Sequence, residues 1–353
     1  MDQKLKADIE ASYRFLKEYE ENLNRNSYGD WEARFHSETE RLVDKLTGQL
    51  RVESFENFRG NPVFVADRPN ARFRSFHSTD PLYRFLLREV LYRIHGDRRG
   101  HVQEMLDVFN TVAEMGFLDL LKKYPSPQVG NPLNWNHQGH SLTNRYVRHI
   151  FNLGMFKKYL EKQLPTDYVH LDLGSAYGPF SGVLKMDNPN GHHVLVDLPG
   201  QLLMAHYYLA SLFPNARIAD FATVGKAGKI DAAFIKQYDF VLLPTTLYDR
   251  LSGGIDLVSN FASLSEMGRE WFEQYIRSEP FKKAPFLFTM NRYDAYPTYS
   301  NDITILDYPL QDYQKIFMRT CPFVKQYYAG FLYFFKKTVR YPSEFFLFIG
   351  KRK

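Results

Sequence analysis

Cysteine is all but missing from this chain: Cys321 is the only one among 353 residues. A single thiol cannot close an internal disulfide and has no cysteine partner for a thiolate zinc site, so nothing points to an oxidising compartment and a cytoplasmic setting is expected. Long apolar runs are missing too. No stretch approaches the roughly 18 apolar residues of a membrane span, and the opening Met1-Asp2-Gln3-Lys4 lacks the apolar core of a secretory leader, so no membrane partner is expected. Charge of one sign is scarce: 45 Lys and Arg against 40 Asp and Glu leave only +5, part of it in the Lys351-Arg352-Lys353 tail. Nucleic-acid binders usually carry concentrated basic stripes, so a nucleic-acid partner is not expected. Internal repeats and low-complexity segments are absent as well.

Aromatic rings, by contrast, are plentiful. The 30 Phe and 24 Tyr crowd most densely between Tyr327 and Phe348, which reads as a core of aromatic-rich strands or, alternatively, as a ring-lined pocket. The length suits two domains. From Lys4 to Asn24, apolar residues fall at Leu5, Ile9, Leu16, Tyr19 and Leu23, near helical spacing, and similar patterns recur at 31–50, 81–95 and 101–122. A proline-rich break from Tyr124 to Pro132 interrupts them, and a further helical pattern from Leu142 to Leu164 leads to Pro165. The expected division is a helical N-terminal domain over 1–165, serving as lid, substrate contact or homodimer interface, and an α/β domain over 166–353.

In that second part, short apolar runs alternate with turns and helical patterns: Tyr168 to Leu173, His193 to Val196, Phe240 to Leu243, Ile255 to Ser259 and Pro285 to Met290. This is the texture of a parallel α/β sheet. Phe323 to Thr338 and Glu344 to Gly350, joined by a turn around Tyr341-Pro342-Ser343, predict an antiparallel hairpin closing the sheet.

The richest stretch is Val169 to Gly178, an apolar strand running into the turn Gly174-Ser175-Ala176-Tyr177-Gly178 and then a helix from Pro179. Glycine there permits positive φ and lets backbone approach a ligand closely. Asp172 ends the first strand at the carboxyl edge, where open α/β sheets place ligands, and could accept a hydrogen bond from an ammonium group or organise the turn. Asp197 ends the next strand, at the spacing where an acid can grip both hydroxyls of a ribose; its alternative role is an N-cap for the helix at Leu198-Pro199. The dinucleotide fingerprint with three glycines is not met, which disfavours an NAD-linked oxidoreductase.

These residues resemble those of class I S-adenosylmethionine-dependent methyltransferases, and more closely of the sugar O-methyltransferase family. The resemblance runs from about 125 to 350 through Gly130-Asn131-Pro132, Leu171 to Gly178, Val196-Asp197-Leu198-Pro199, Asn260 with Ser265-Glu266-Met267, and Asn291-Arg292. It implies a Rossmann-like sheet of seven strands with S-adenosylmethionine along the carboxyl edge. Gly174, Ala176 and Gly178 would pack against its methionine part, Asp172 near its amino group and Asp197 on its ribose, with Tyr177, Leu198 and Asn260 completing the cofactor site. Ala176 stands where the family has a glycine. Tyr177 would close over the cofactor or pack on the sheet.

Methyl transfer to a hydroxyl needs positioning and a proton acceptor. Glu266 is the first candidate, its alternative role being a carboxylate at a helix start; His137 and His140 come second, and no metal is expected. Asn291 and Arg292 are candidate contacts to the acceptor, Arg292 alternatively forming a salt bridge. Where methyltransferases of nucleobase amino groups have an Asn-Pro-Pro-Tyr type motif, this chain reads Asn260-Phe261-Ala262-Ser263. The expectation is O-methylation of a small polar acceptor, a sugar or related metabolite, with a non-catalytic binding protein of the same fold as the alternative.

Overall fold

Short apolar runs become parallel strands when both of their faces are covered, and the five predicted runs do so in the computed structural model. It describes residues 1–22, 42–44, 47, 49–60, 98–132, 134–295, 302–322, 326–328, 339–341 and 343–353. The strands are β1 (Trp135–His137), β2 (His140–Leu142), β3 (Val169–Leu173), β4 (His192–Asp197), β5 (Ile218–Ala219), β6 (Phe240–Pro244), β7 (Leu257–Phe261), β8 (Phe286–Arg292), β9 (Tyr313–Thr320), β10 (Gln326–Tyr328), β11 (Val339–Tyr341) and β12 (Phe345–Arg352).

The main sheet runs β5-β6-β4-β3-β7-β8-β12-β9. From β5 to β8 all neighbours are parallel, and β12 is antiparallel to both β8 and β9. Eight strands stand where seven were expected, because the two-residue β5 adds an edge beyond β6. The outer partner of β12 is also corrected: it is β9, from Tyr313 to Thr320, where the Phe323–Thr338 stretch is expected from the sequence. Of that stretch, β10 pairs separately with β11, and the remainder lies outside the described residues. Every residue of β3, β6 and β8 is buried.

The described residues form two compact units. The sheet unit comprises Met1–Glu56, Asn152–Cys321 and Glu344–Lys353; the second comprises Asn57–Phe151 and Pro322–Ser343. This division differs from a single cut near 165. Helix Gln3–Asn22 packs on helices Pro199–Leu212 and Phe221–Lys226 of the sheet unit, and Ser12 Oγ donates to Asp220 Oδ2 at 3.3 Å. Periodicity in a sequence reveals the type of an element, not the layer it joins, which is why Met1–Glu56 reads as part of a separate domain. Of the helical pattern at 31–50, the described end instead pairs Val43 with Leu50 in an antiparallel bridge; its remainder and the 81–95 pattern lie outside the described residues. The 101–122 pattern is helix Arg98–Glu114 followed by Leu118–Lys123.

In the second unit, Arg59 is fully buried and fixes the proline-rich break. Its guanidinium donates to the carbonyls of Pro127 and Val129 and to the hydroxyls of Ser126 and Thr143. Among the described residues no helix is long and apolar enough to cross a membrane.

Candidate functional site

The chain leaves β3 toward β4 on one side and returns to β7 on the other, so strand order reverses at β3. Such a switch point opens a crevice outside the carboxyl ends of the strands. The glycine turn stands there. Gly174 has φ +68°, and a Cβ on it would overlap Ser263 Oγ, the hydroxyl that follows β7. Gly178 has φ +79°, and a Cβ there would approach Leu195 Cδ2 to 2.8 Å. Both glycines are therefore required by the protein's own packing. Ala176 also adopts a left-handed φ of +49°, a conformation costing an L-residue about 1–2 kcal/mol. Its N–H offsets this by donating to Asp197 Oδ2 at 2.6 Å.

Asp197 Oδ1 accepts from the Leu198 N–H at 2.7 Å. The carboxylate thus joins the glycine turn to the start of helix Pro199–Leu212, whose N-cap position is Leu198, so the N-cap alternative for Asp197 is not met. These two backbone bonds orient the Asp197 carboxylate.

Beside Asp197 lies a cavity of about 560 Å³, its open mouth included, lined by Gly174, Val196, Asp197, Leu198, Thr245, Ser263, Glu266, Met267, Trp271 and Tyr275. Its apolar walls with a few polar groups are of the kind that hold small organic ligands. The lining comes from the ends of β6, β4, β3 and β7, in that spatial order, and from helix Arg269–Arg277. Trp271 and Tyr275 share a face of this helix by their spacing of four. Tyr275 meets Tyr248 edge-on at 4.6 Å, and the Tyr248 hydroxyl pairs with Ser278 Oγ at 2.8 Å, which fixes the wall over the end of β6. Arg269 holds the start of the helix through Asp302 at 2.7 Å and Asp307 at 3.0 Å.

Gly174, Asp197, Leu198 and Glu266, four of the residues singled out from the sequence, meet in this cavity. Others are engaged elsewhere. Asp172 is buried, accepting from Ser259 Oγ at 2.8 Å and Ser181 Oγ at 3.0 Å. Burial pushes its pKa up to about 6, against the opposing effect of the two serine bonds. His170 Nε2 contacts the same Ser259 hydroxyl at 2.8 Å, and its Nδ1 lies 3.1 Å from His193 Nδ1. Burial drives His170 down to about 3 and His193 also well below its ordinary value. Tyr177 packs edge-on against Tyr208 at 5.0 Å and is fully buried, the packing alternative.

Asn260 donates to Leu173 O at 2.7 Å and Ser263 Oγ at 2.6 Å, and accepts from Leu264 N and Asn291 Nδ2. Asn291 also donates to Thr289 Oγ1 and accepts from Ser265 N. These amides lock β3, β7 and β8 together. Arg292 forms an ion pair with Glu344 and lies over the Phe345 ring at 4.6 Å, the salt-bridge alternative in a buried setting. His137 and His140 belong to the second unit, opposite each other across the β1–β2 turn with their rings 4.9 and 5.6 Å from that of Phe109. Among the described residues no group of three or more His, Cys, Asp or Glu is placed to hold a metal ion.

Sequence reading passed over Thr245, Trp271 and Tyr275. The spacing of Trp271 and Tyr275 was visible, yet it matches that of any core-facing helix. Thr245 gave no signal beyond its place after an apolar run.

No family model matches the chain, and comparison with curated proteins gives no match. Among solved structures it is similar to the mitomycin 7-O-methyltransferase MmcR, with 9% identity and a TM-score of 0.34 over 60% of this chain and 57% of that one. It is similar to an O-methyltransferase family 2 protein from Planctomyces limnophilus in complex with apigenin, with 10% identity and a TM-score of 0.30 over 55% and 52%. A third is the pyocyanin biosynthetic protein PhzM, with 11% identity and a TM-score of 0.32 over 59% and 58%. The chain spans 52% to 58% of the length of these three proteins.

Proposed function

We propose that this chain is an S-adenosylmethionine-dependent methyltransferase acting on an oxygen of a small polar acceptor, a sugar or related metabolite. The observation that carries the reading is one cavity at the switch point with Asp197, Gly174 and Glu266 in its lining. Its residues fit the cofactor: the Asp197 carboxylate, oriented by backbone amides, suits a ribose diol, Gly174 brings main chain to the cavity wall, and Val196, Leu198 and Met267 give apolar surface. When bound, the cofactor supplies an electrophilic methyl carbon.

The chain's own contribution is to orient the acceptor, exclude water and take up a proton. Glu266 is the base in this reading, because it is the only other carboxylate in the lining beside Asp197. His137 and His140 rank behind it, since they are not among the residues lining the cavity. Asn260, Asn291 and Arg292 contribute by holding the frame that carries Ser263 and Glu266.

The test is turnover. Incubation with S-adenosylmethionine and a panel of polyhydroxylated acceptors should release S-adenosylhomocysteine with an O-methylated product. Methylation confined to nitrogen or carbon would overturn the oxygen assignment, and a protein that neither binds nor consumes the cofactor would overturn the whole reading.

A further inference from the structure

A row of buried polar side chains crosses the middle of the sheet. His193 on β4 is opposite His170 on β3 in register, and Ser259 on β7 is opposite Asp172, two residues beyond His170 on the same face. His193 Nδ1 lies 3.1 Å from His170 Nδ1, His170 Nε2 lies 2.8 Å from Ser259 Oγ, and Ser259 Oγ donates to Asp172 Oδ1 at 2.8 Å. All four residues are buried.

Such a row has a direction, because each hydrogen serves one bond. The ionised Asp172 carboxylate only accepts, so the Ser259 hydroxyl gives it its hydrogen and accepts from His170 Nε2–H. Burial drives His170 down to about 3 and His193 well below its ordinary value, so each ring is neutral and carries a single N–H. His170 Nδ1 is then a bare acceptor, and the hydrogen between the two rings belongs to His193 Nδ1. His193 Nε2 is left without a hydrogen, and it has no partner among the described residues. A buried polar atom of this kind calls for an explanation. Gly191 has no side chain to cover it; a Cβ there would stand 3.4 Å from Nε2.

We propose that the row is a proton relay that loads Asp172 from His193. A proton from solvent arrives at His193 Nε2. The hydrogen on His193 Nδ1 passes to His170 Nδ1, that on His170 Nε2 passes to Ser259 Oγ, and the hydroxyl hydrogen passes to Asp172 Oδ1. Each hydrogen moves one bond along, so the carboxylate becomes a carboxylic acid while both imidazoles end neutral, each in its other tautomer. Asp172 keeps the proton because burial raises its carboxyl to about 6, above both rings.

The groups facing the row leave this order undisturbed. Asp172 meets Leu195 on β4 and Ser181 on helix Pro179–Asp187, whose hydroxyl donates to Oδ2 at 3.0 Å. His170 meets the Phe180 ring edge-on, and His193 lies against Tyr168 and Phe240. The charged or titratable neighbours of His193 besides His170 are Lys185, paired with Asp239 at 2.6 Å, and His192, whose Nδ1 contacts Tyr238 O at 2.6 Å. Asp172 stands two residues before Gly174, and Ser181 is on the helix after the turn. The relay therefore lets the charge beneath the glycine turn follow pH although the carboxyl group itself is buried.

Nitrogen-15 NMR of the histidine rings in the full chain tests it, because ring correlations distinguish the two neutral tautomers from each other and from imidazolium. Loss of signals in His170→Gln and His193→Gln identifies the pair. Where either variant fails to fold, proximity of each ring to Phe180 or Phe240, with centroids 5.6 Å away in both cases, identifies it in wild type. At about pH 8 the expected tautomers are Nε2–H for His170 and Nδ1–H for His193. As pH falls through about 6, both rings should change tautomer together and remain neutral. Ser259→Ala, which cuts the row, and Asp172→Asn, which removes its acid, should each hold both rings in one tautomer across that range; Ser181→Ala, outside the row, should keep the exchange. The same tautomer in both rings at about pH 8, an imidazolium at either ring by about pH 5, unchanged wild-type tautomers on acidification, or an exchange that survives in Ser259→Ala would overturn the relay.

Discussion

Asp172 and Asp197 are carboxylates at the carboxyl edge of neighbouring parallel strands, and register separates their fates. Asp172 is opposite Ser259 on β7 and Leu195 on β4, one residue inside the sheet. It shares a face with His170, and in that polar stripe its oxygens are taken by two serines. Asp197 is the residue after the last β3–β4 pair, Leu173 with Val196, so it overhangs the edge and reaches both the turn and the cavity. Asp197 stands two register positions beyond Asp172, and that step past the last β3–β4 pair separates an acid that braces the core from an acid that can meet a ligand.

The turn between the two acids should be the most sensitive point. Gly174→Ala places a methyl onto Ser263 Oγ at positive φ, and a loss above about 3 kcal/mol is expected from the steric and backbone costs together. Chemical denaturation would measure it, and adding Ser263→Gly should restore part of the stability. No rescue would mean that Ser263 is not the obstacle.

On the cavity side, Glu266→Gln should slow methyl transfer by about 100-fold or more, the range for losing a general base. S-adenosylhomocysteine affinity should stay unchanged, as read by kinetics beside calorimetry. An unaltered rate would dismiss Glu266.

The two acids themselves invite exchanged readouts. Asp172→Ala should cost about 2 kcal/mol of folding stability by leaving the Ser181 and Ser259 hydroxyls without their acceptor. Asp197→Ala should weaken cofactor binding by about 1.5–3 kcal/mol, the range for a charged hydrogen bond. If Asp172→Ala, once folded, lost binding as severely as Asp197→Ala, the contrast between them would fail.

The last expected effect is a pH dependence. His170, held at about 3 by burial, takes up its proton near 6.5 when unfolded. Below 6.5 the unfolded state therefore binds the extra proton, and stability falls toward pH 3 by up to about 1.4 kcal/mol per pH unit for one such group. His193 acts in the same direction. Asp172, raised to about 6, protonates first in the folded state and offsets the loss between about 6 and 3.8. Thermal unfolding across pH 7 to 4 should show a net decline that is steeper in Asp172→Asn; a rise on acidification would contradict the buried neutral histidines.

Much of the α/β frame was legible because its strands are short apolar runs bounded by turns, and the turn at Gly174 with an acid after the next strand marked the switch point. The hydrogen bonds of Asp172 were not legible, since its serine partners lie on β7 and on helix Pro179–Asp187, unmarked by any local pattern. Asn260 and Asn291 look like ligand contacts in sequence, yet they satisfy one another across β7 and β8, and only tertiary structure shows such mutual satisfaction. The closing hairpin was misassigned because aromatic-rich 323–338 outshone β9, whose exposed edge reads largely polar.

The most direct test of the central claim is a crystal structure of the protein with S-adenosylhomocysteine. The ribose hydroxyls should lie within hydrogen-bonding distance of Asp197. A ligand bound elsewhere, or a crevice that excludes it at saturating concentration, would contradict the account.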